Sequence, residues 1–349
     1  MDCLVTVLIS AFNSEKFISD SLESICKQTY TNLEILVYND ASTDKTGEII
    51  RSFTELDDRV VLLDRVSNCG LTKNLFEGMT RAKGKYIARM DADDIAMPER
   101  IATQVSYMES HPEIDILGTS YYPFDGNSLG AEVKQPESHD EIRCELLLQF
   151  TLIHPTVMLR RESFERFGLN YDVSFRYSQD YDLWEKACRT LKAHNLNIPL
   201  LKLRSDHPGK ITTHLKAPQK ECSDRVRKRQ LALLQVDLTT DEERVFHEFG
   251  SHALAADAKT MELLDSALNK ILLANRVTMQ YEQTVLEKRA AELFRWNCIA
   301  MYPHNPKAFM YYFSSEMQKK DNPSAKVKLI LLKYRMMSQK WILRNKGME

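Results

Sequence analysis

Within its first 95 residues the chain alternates four times between short apolar runs and segments of helical periodicity. Leu4–Ile9, Leu33–Tyr38, Val60–Leu63 and the run after Gly84 (Tyr86, Ile87, Ala88, Met90) are predominantly apolar stretches of strand length, broken only by Thr6, Glu34 and Arg89. They lack the strict alternation of a strand with one wet face, so they read as strands buried on both sides. Between them, Glu15–Gln28, Asp44–Thr54 and Thr72–Arg81 carry apolar residues at helical spacing. Strand and helix in turn specify a parallel, doubly wound sheet, in which ligands bind at the carboxyl ends of the strands. The polar clusters Ser10–Asn13, Asn39–Asp44 and Asp91–Asp94 all fall at such ends.

The pattern continues with a helix over Pro98–Ser110 and a strand over Ile114–Tyr121. Helices are then expected at Ile142–Phe150, Glu162–Phe167 and Asp180–Thr190, with strands at Thr156–Leu159 and Ile198–Leu203. Beyond about Pro218 strand signals vanish, and long helical patterns take over at Arg227–Val236, Asp241–Phe249, Thr260–Ala274, Thr284–Cys298 and Ala325–Arg344. Thr240 with Glu243 forms a candidate capping box for the second of these. The boundary is expected near 215–225, giving an α/β domain over 1–217 and a helical domain over 218–349. The 43% hydrophobic content supports a large core, and a net charge of −2 argues against a general nucleic-acid binder. Seven cysteines with no C-x-x-C pair read as reduced thiols in a cytoplasmic protein. The N-terminus lacks the features of a signal peptide, and no apolar run approaches the ~18–20 residues of a spanning helix.

Asp91, Asp93 and Asp94 place three carboxylates in four positions just past a strand. Their mutual repulsion is relieved by a cation, and oxygen-only ligands suit Mg²⁺ or Mn²⁺. The alternative is an acidic turn in which Asp93 or Asp94 caps the helix that begins near Pro98. A P-loop or a dinucleotide fold would require G-x-x-x-x-G-K-[ST] or G-x-G-x-x-G, and neither occurs. The Gly/Arg/Lys-rich loop that a nucleotidyltransferase would carry after its first strand is also missing.

The ordered set S-A-F-N (10–13), N-D-A-S-T-D (39–44), N-C-G-L-T-K-N (68–74), G-K-Y-I-A-R-M-D-A-D-D (84–94), H-P-T-V-M-L-R-R (154–161) and S-Q-D-Y-D-L-W (178–184) resembles the family 2, GT-A-fold inverting glycosyltransferases. The resemblance spans roughly residues 3–210. It implies a Rossmann-like α/β domain that binds a nucleoside-diphosphate sugar, UDP-linked in the usual case, with Ser10, Phe12, Asn13, Glu15, Asp40, Asn68, Lys73, Asp91 and Ala92 around the nucleotide. Asp40 corresponds to the acid that meets the base, although Asn39 and Ala41 stand where the family more often has Asp and Gly. The resemblance also implies that Asp93 holds the metal, Mn²⁺ or Mg²⁺. Asp94 either assists or caps the next helix. His207 would be a metal or phosphate contact, in a turn one residue longer than the family pattern. Asp180 would be the general base, with Gln179 in place of the usual Glu. Asp182 reads as a solvated or secondary residue, and His154 as a core or turn histidine rather than an acceptor contact.

The last helical pattern has two apolar stripes: Val327, Ile330, Leu331, Tyr334, Met337 and Trp341 on one side, and Leu329, Leu332, Met336 and Leu343 nearly opposite. Basic residues lie between them. A surface helix needs one stripe, so the second is expected to meet a membrane surface or a partner, unless the helix is sandwiched in its own domain. The whole reading is a metal-dependent, inverting glycosyltransferase that moves a sugar to a hydroxyl of a glycan or lipid-linked glycan in bacterial surface-polysaccharide synthesis. Its setting would be cytoplasmic, with peripheral contact at the inner face of the cell membrane. The alternatives are transfer to a polyprenyl phosphate and a non-catalytic nucleotide-sugar-binding protein on the same fold.

Overall fold

The computed structural model describes residues 3–206, 216–250, 254, 257–302 and 304–344. The chain divides into two compact units, Met1–Ile142 with Thr151–Ser223, and Arg143–Phe150 with Asp224–Glu349.

The first unit is built on one eight-stranded sheet. Its strands are β1 (Val5–Ala11), β2 (Leu33–Asn39), β3 (Val60–Asp64), β4 (Tyr86–Asp91), β5 (Ile95–Ala96), β6 (Ile116–Phe124), β7 (Met158–Arg160) and β8 (Ala193–Arg204). The order across the sheet is β3-β2-β1-β4-β7-β6-β8-β5. Strands β3, β2, β1 and β4 run parallel, as four apolar runs separated by helices require. The short β7 is antiparallel to both β4 and β6, and β6 resumes parallel pairing with β8. The result is a GT-A arrangement, mostly parallel with antiparallel insertions.

Register is what positions the site. Ser10 pairs with both Tyr38 and Asp91, and Ala11 pairs with Asn39, so β1, β2 and β4 end level on one edge of the sheet. Gly84 makes the entry to β4 possible. A Cβ there would come within 2.4 Å of the Thr6 backbone nitrogen. The core on this side of the sheet is the apolar run of each strand packed on Ile18, Leu22 and Ile25 of α1 (Ile18–Cys26) and on Ile101, Val105 and Met108 of α4 (Arg100–Ser110).

Two departures from expectation lie at β5 and β8. Strand β8 starts at Ala193, five residues before the apolar run at 198, because His194, Asn195 and Asn197 interrupt the hydrophobic signal. Those asparagines are used: Asn195 Nδ2 donates to the Pro136 carbonyl at 2.6 Å, and Asn197 Oδ1 accepts from the Gln135 amide at 3.2 Å. The two residues of β5 are too few to leave a periodic signal, and they pair with Leu201 and Lys202 of β8.

The second unit is helical, with helices at Lys216–Leu234 (which begins in the first unit), Thr240–Gly250, Ala258–Thr278, Gln283–Met301, Pro306–Tyr311, Glu316–Lys320 and Ala325–Arg344. Its core gathers Leu234, Phe246, Phe249, Leu264, Leu268, Leu272, Phe294 and Phe309. The capping box lies one residue earlier than the spacing suggested. The Thr239 amide donates to Glu242 Oε2 at 2.8 Å, and the Glu242 amide to Thr239 Oγ1 at 3.3 Å. Among the described residues, no helix is long and apolar enough to cross a membrane.

Candidate active site

The loops after β1 and β2 are laced together by side chain to backbone hydrogen bonds. Asn13 Oδ1 accepts from the Thr43 amide at 2.9 Å, and Ser42 Oγ accepts from the Asn13 amide at 3.0 Å. Glu15 Oε2 accepts from the Lys45 amide, and Asp44 Oδ2 from the Glu15 amide, both at 3.1 Å. Asn13 and Ala41 hold left-handed backbone, with φ of 48° and 58°. The left-handed φ at Ala41 is the physical reason a glycine suits that position. Phe12 is 49% exposed beside this lattice, open to a flat ligand. Asn13 and Glu15 thus have structural duties that the sequence did not reveal.

Asp40 is only 2% exposed. Its Oδ1 accepts from the Cys69 amide and its Oδ2 from the Gly70 amide, each at 2.9 Å, so it shapes the turn before α3 (Leu71–Arg81). Asn68 Nδ2 donates to the Asp40 carbonyl at 3.2 Å, and Asn74 Nδ2 to Ser10 Oγ at 3.0 Å, which ties the same turn to β1. The Cys69 thiol also donates to Oδ1 at 3.3 Å, and since a carboxylate has about four lone-pair sites, these three donors leave capacity for one more. Beside this turn lies a pocket of about 280 Å³ lined by Asn68 to Lys73, Val173 and Arg176. Lys73 and Arg176 make it cationic.

At the end of β4, Asp91, Asp93 and Asp94 bring one carboxylate oxygen each to within 4.8 Å of one another. Ala92 between them is buried. Asp94 caps no helix. It is 2% exposed, its Oδ1 accepts from the Arg204 amide at 2.8 Å, and among the described residues nothing donates to its Oδ2. Burial, reinforced by the charges of Asp91 and Asp93, holds its carboxyl well above the usual range. An orphaned buried oxygen in an all-oxygen cluster of three acids fits a hard divalent cation.

Three arginines surround these acids. Arg89, 3% exposed, pairs with Asp91 Oδ1 at 2.5 Å. Its Nε and Nη1 have no partner among the described residues. The fully buried Arg100 donates from Nη2 to the Arg89 carbonyl at 2.7 Å, and burial lowers its guanidinium to about 10. Arg204, at the end of β8, donates from Nε to the Asp93 carbonyl at 2.9 Å and stacks on Phe17 and Phe124. Sequence reasoning gives none of the three a role: Arg89 sits inside the apolar run of 84–94, Arg204 reads only as the start of the turn that leads to His207, and Arg100 lies in a helix with no motif of its own.

Asp180 lies in the first turn of α7 (Gln179–Ala187), half-buried, with its Oδ1 accepting from the Tyr181 amide at 2.8 Å. Burial raises its carboxyl above the usual range, and the charge of Asp91 adds to this. The Tyr181 amide and the Arg89 guanidinium oppose the rise. Ser178, two residues before it, has φ 52° and donates to the Gln219 carbonyl at 3.2 Å. His154 is a buried turn histidine, with Nε2 2.7 Å from the Tyr171 hydroxyl. Burial, then the Arg89 charge, keeps it well below the ordinary histidine range and therefore neutral. Asp182 is not solvated as the sequence suggested: it is fully buried and paired with Lys186 at 2.7 Å. His207 falls outside the described residues.

The fold and this cluster of acids define a glycosyltransferase of GT-A architecture. The sequence profile of glycosyl transferase family 2 matches residues 6–168. An uncharacterized glycosyltransferase of Haemophilus influenzae is 32% identical over 239 residues, covering 65% of this chain and 73% of that protein. The amylovoran biosynthesis glycosyltransferase AmsE of Erwinia amylovora is 33% identical over 207 residues, covering 58% of this chain and 76% of that protein. The chain belongs to glycosyl transferase family 2. Among solved structures, residues 1–349 of S. aureus TarS in complex with UDP-GlcNAc share the fold. The TM-score is 0.55 at 17% identity, over 89% of this chain and 92% of that one. The mannosyltransferase PcManGT from Pyrobaculum calidifontis, in complex with GDP-Man and Mn²⁺, gives 0.52 at 17% identity over 90% and 84%.

Proposed function

We propose that the protein catalyses inverting, metal-dependent transfer of a sugar from a UDP-sugar to a hydroxyl of a glycan or lipid-linked glycan during bacterial surface-polysaccharide synthesis. The observation that carries this reading is the set of three acids at the end of β4, level with the ends of β1 and β2, with an Asp94 oxygen that has no partner among the described residues, in the same unit as a half-buried Asp180. The UDP-GlcNAc bound by one structural neighbour, the Mn²⁺ bound by another and the amylovoran relative support the donor, the metal and the setting.

Asp91, Asp93 and Asp94 would hold the cation, which supplies Lewis-acid stabilisation of the charge that develops on the departing diphosphate. Asp180 takes the proton of the acceptor hydroxyl as that oxygen bonds to the anomeric carbon and the bond to the diphosphate oxygen breaks, inverting the centre. A carboxyl raised by burial retains a proton more readily than one in water, which suits a base. Arg89 holds Asp91 in place and favours the ionised form of Asp180. Asn13, Glu15, Asp40 and Asn68 shape the nucleotide site through the loops they lace, and Phe12 and Lys73 face the nucleotide directly.

A thermal-shift titration of UDP, GDP, CDP and dTDP, each with Mn²⁺ and with EDTA, tests the reading. A ligand of the native state at about 100 times its Kd adds ~2.7 kcal/mol of apparent stability. The expected outcome is a Mn²⁺-dependent shift with UDP alone. A shift with GDP instead would replace the donor assignment, and no shift with any nucleotide would favour a protein that has lost donor binding.

A further inference from the structure

The helix Ala325–Arg344 packs on its own unit through one seam and leaves the opposite seam bare. On the packed side Leu331 is 4% exposed and Ser338 fully buried, and the Tyr334 ring stacks on Tyr302 with centroids 4.3 Å apart. On the other side Leu329, Leu332 and Met336 are 68%, 53% and 59% exposed. Their spacing of three and then four residues puts them in one line along the helix. By the same spacing, Lys328 and Arg335 flank that line on one side, and Lys326 and Lys333 on the other. Residues 325–344 include six Lys or Arg and no acid. Met337, expected on the packed stripe, is 45% exposed at its margin.

An ordinary bundle helix presents a polar face to water, and this one presents leucine and methionine between rows of cations. A second copy of the chain would meet the bare seam with the same cations, so that like charges would oppose each other along its whole length. An anionic lipid surface satisfies both features. Its acyl boundary takes the apolar line while its headgroups neutralise the flanking rows. We propose that the Leu329–Leu332–Met336 face of this helix lies in the plane of an anionic membrane surface and holds the enzyme there as a peripheral protein. The inference does not depend on the sugar, nucleotide or base assigned above.

The test is flotation of the full chain with vesicles of phosphatidylcholine and phosphatidylglycerol (3:1) and with vesicles of phosphatidylcholine alone. The wild type is expected to float with the anionic vesicles, and at least tenfold less protein with the neutral ones. The double variant Leu332→Glu/Met336→Glu, which changes exposed positions only, should lose at least tenfold of its binding to anionic vesicles. It should keep the wild-type melting temperature and the wild-type UDP response, whatever that response is. Absence of wild-type flotation, or flotation of the variant at the wild-type level, overturns the proposal. So does a wild-type dimer in light scattering that the double variant turns into a monomer without any vesicle binding, since that result would assign the face to self-association.

Discussion

The acids at the end of β4 and the buried acids of the helical unit are held in opposite ways. In the helical unit Asp321 is closed on both sides: Oδ1 takes the Arg295 guanidinium and Oδ2 the Tyr312 hydroxyl. Asp265 is likewise filled, by the Glu316 and Met317 amides that begin a short helix, by Asn269 and by the Tyr311 hydroxyl. In the sheet unit the acids at the end of β4 are crowded, and among the described residues one Asp94 oxygen and two nitrogens of the neighbouring Arg89 have no partner. A buried polar atom without a partner costs about 1–3 kcal/mol, more if charged. Asp321 and Asp265 are arranged to remove that cost, while the end of β4 carries it among the described residues. That difference is what the metal-holding role proposed for the β4 acids would use.

The sharpest break in this comparison is catalytic. Asp180→Asn should reduce transfer by ~10²–10⁴-fold, the range a positioned base supplies, while a titration with UDP and Mn²⁺ still gives the wild-type affinity. Near wild-type turnover would remove Asp180 from that role. The structural counterpart is Asp321→Ala, which leaves the Arg295 charge buried and unpaired. It should cost ~3–5 kcal/mol of stability, read by urea unfolding, and leave nucleotide binding per folded molecule unchanged.

A third prediction concerns pH. The Asp94 carboxyl is held above its unfolded value, so its protonation favours the fold at low pH. That contribution is complete below the unfolded value and is lost as pH rises through the raised folded one. Metal-free protein should therefore lose melting temperature over that interval, and Asp94→Asn should flatten the curve. The smallest effect is expected at Ala41. Relief of its left-handed backbone, about 1 kcal/mol, is nearly offset by the added freedom of glycine in the unfolded chain. Ala41→Gly should move the melting temperature by no more than ~2 °C, which calorimetry can resolve.

Much of the sheet unit was legible because strands buried on both faces must be apolar throughout. β1, β2 and β4 announce themselves, and their level ends follow from the parallel topology. What escaped was polar and tertiary. Strand β8 hides behind His194, Asn195 and Asn197, whose partners lie some sixty residues away in sequence for both asparagines. Arg89 lies in a run read for its hydrophobicity, and nothing local to it shows that it pairs with Asp91. Asp40 stands at the right strand end, but its grip on the 69–70 turn is set by a loop about thirty residues further on. The helices Pro306–Tyr311 and Glu316–Lys320 are too short to establish a period, and their starts depend on Asn305, Ser315 and the distant Asp265.

The segment 143–150, which lies inside the catalytic sequence and yet belongs to the helical unit, bears on how this enzyme can be engineered. Glu145 in it is gripped by the Arg289 guanidinium at 3.0 Å, and the Leu146 carbonyl accepts from Gln230 at 3.0 Å, while Leu147 and Leu148 are fully buried. A catalytic fragment ended at Ser223 would bare those leucines and strand a buried carboxylate, so it should aggregate rather than report activity. Chimaeras with relatives need two junctions, one on each side of 143–150, besides the one in the helix Lys216–Leu234. Exchange of the helical unit for a relative's by a single crossover is closed to this chain.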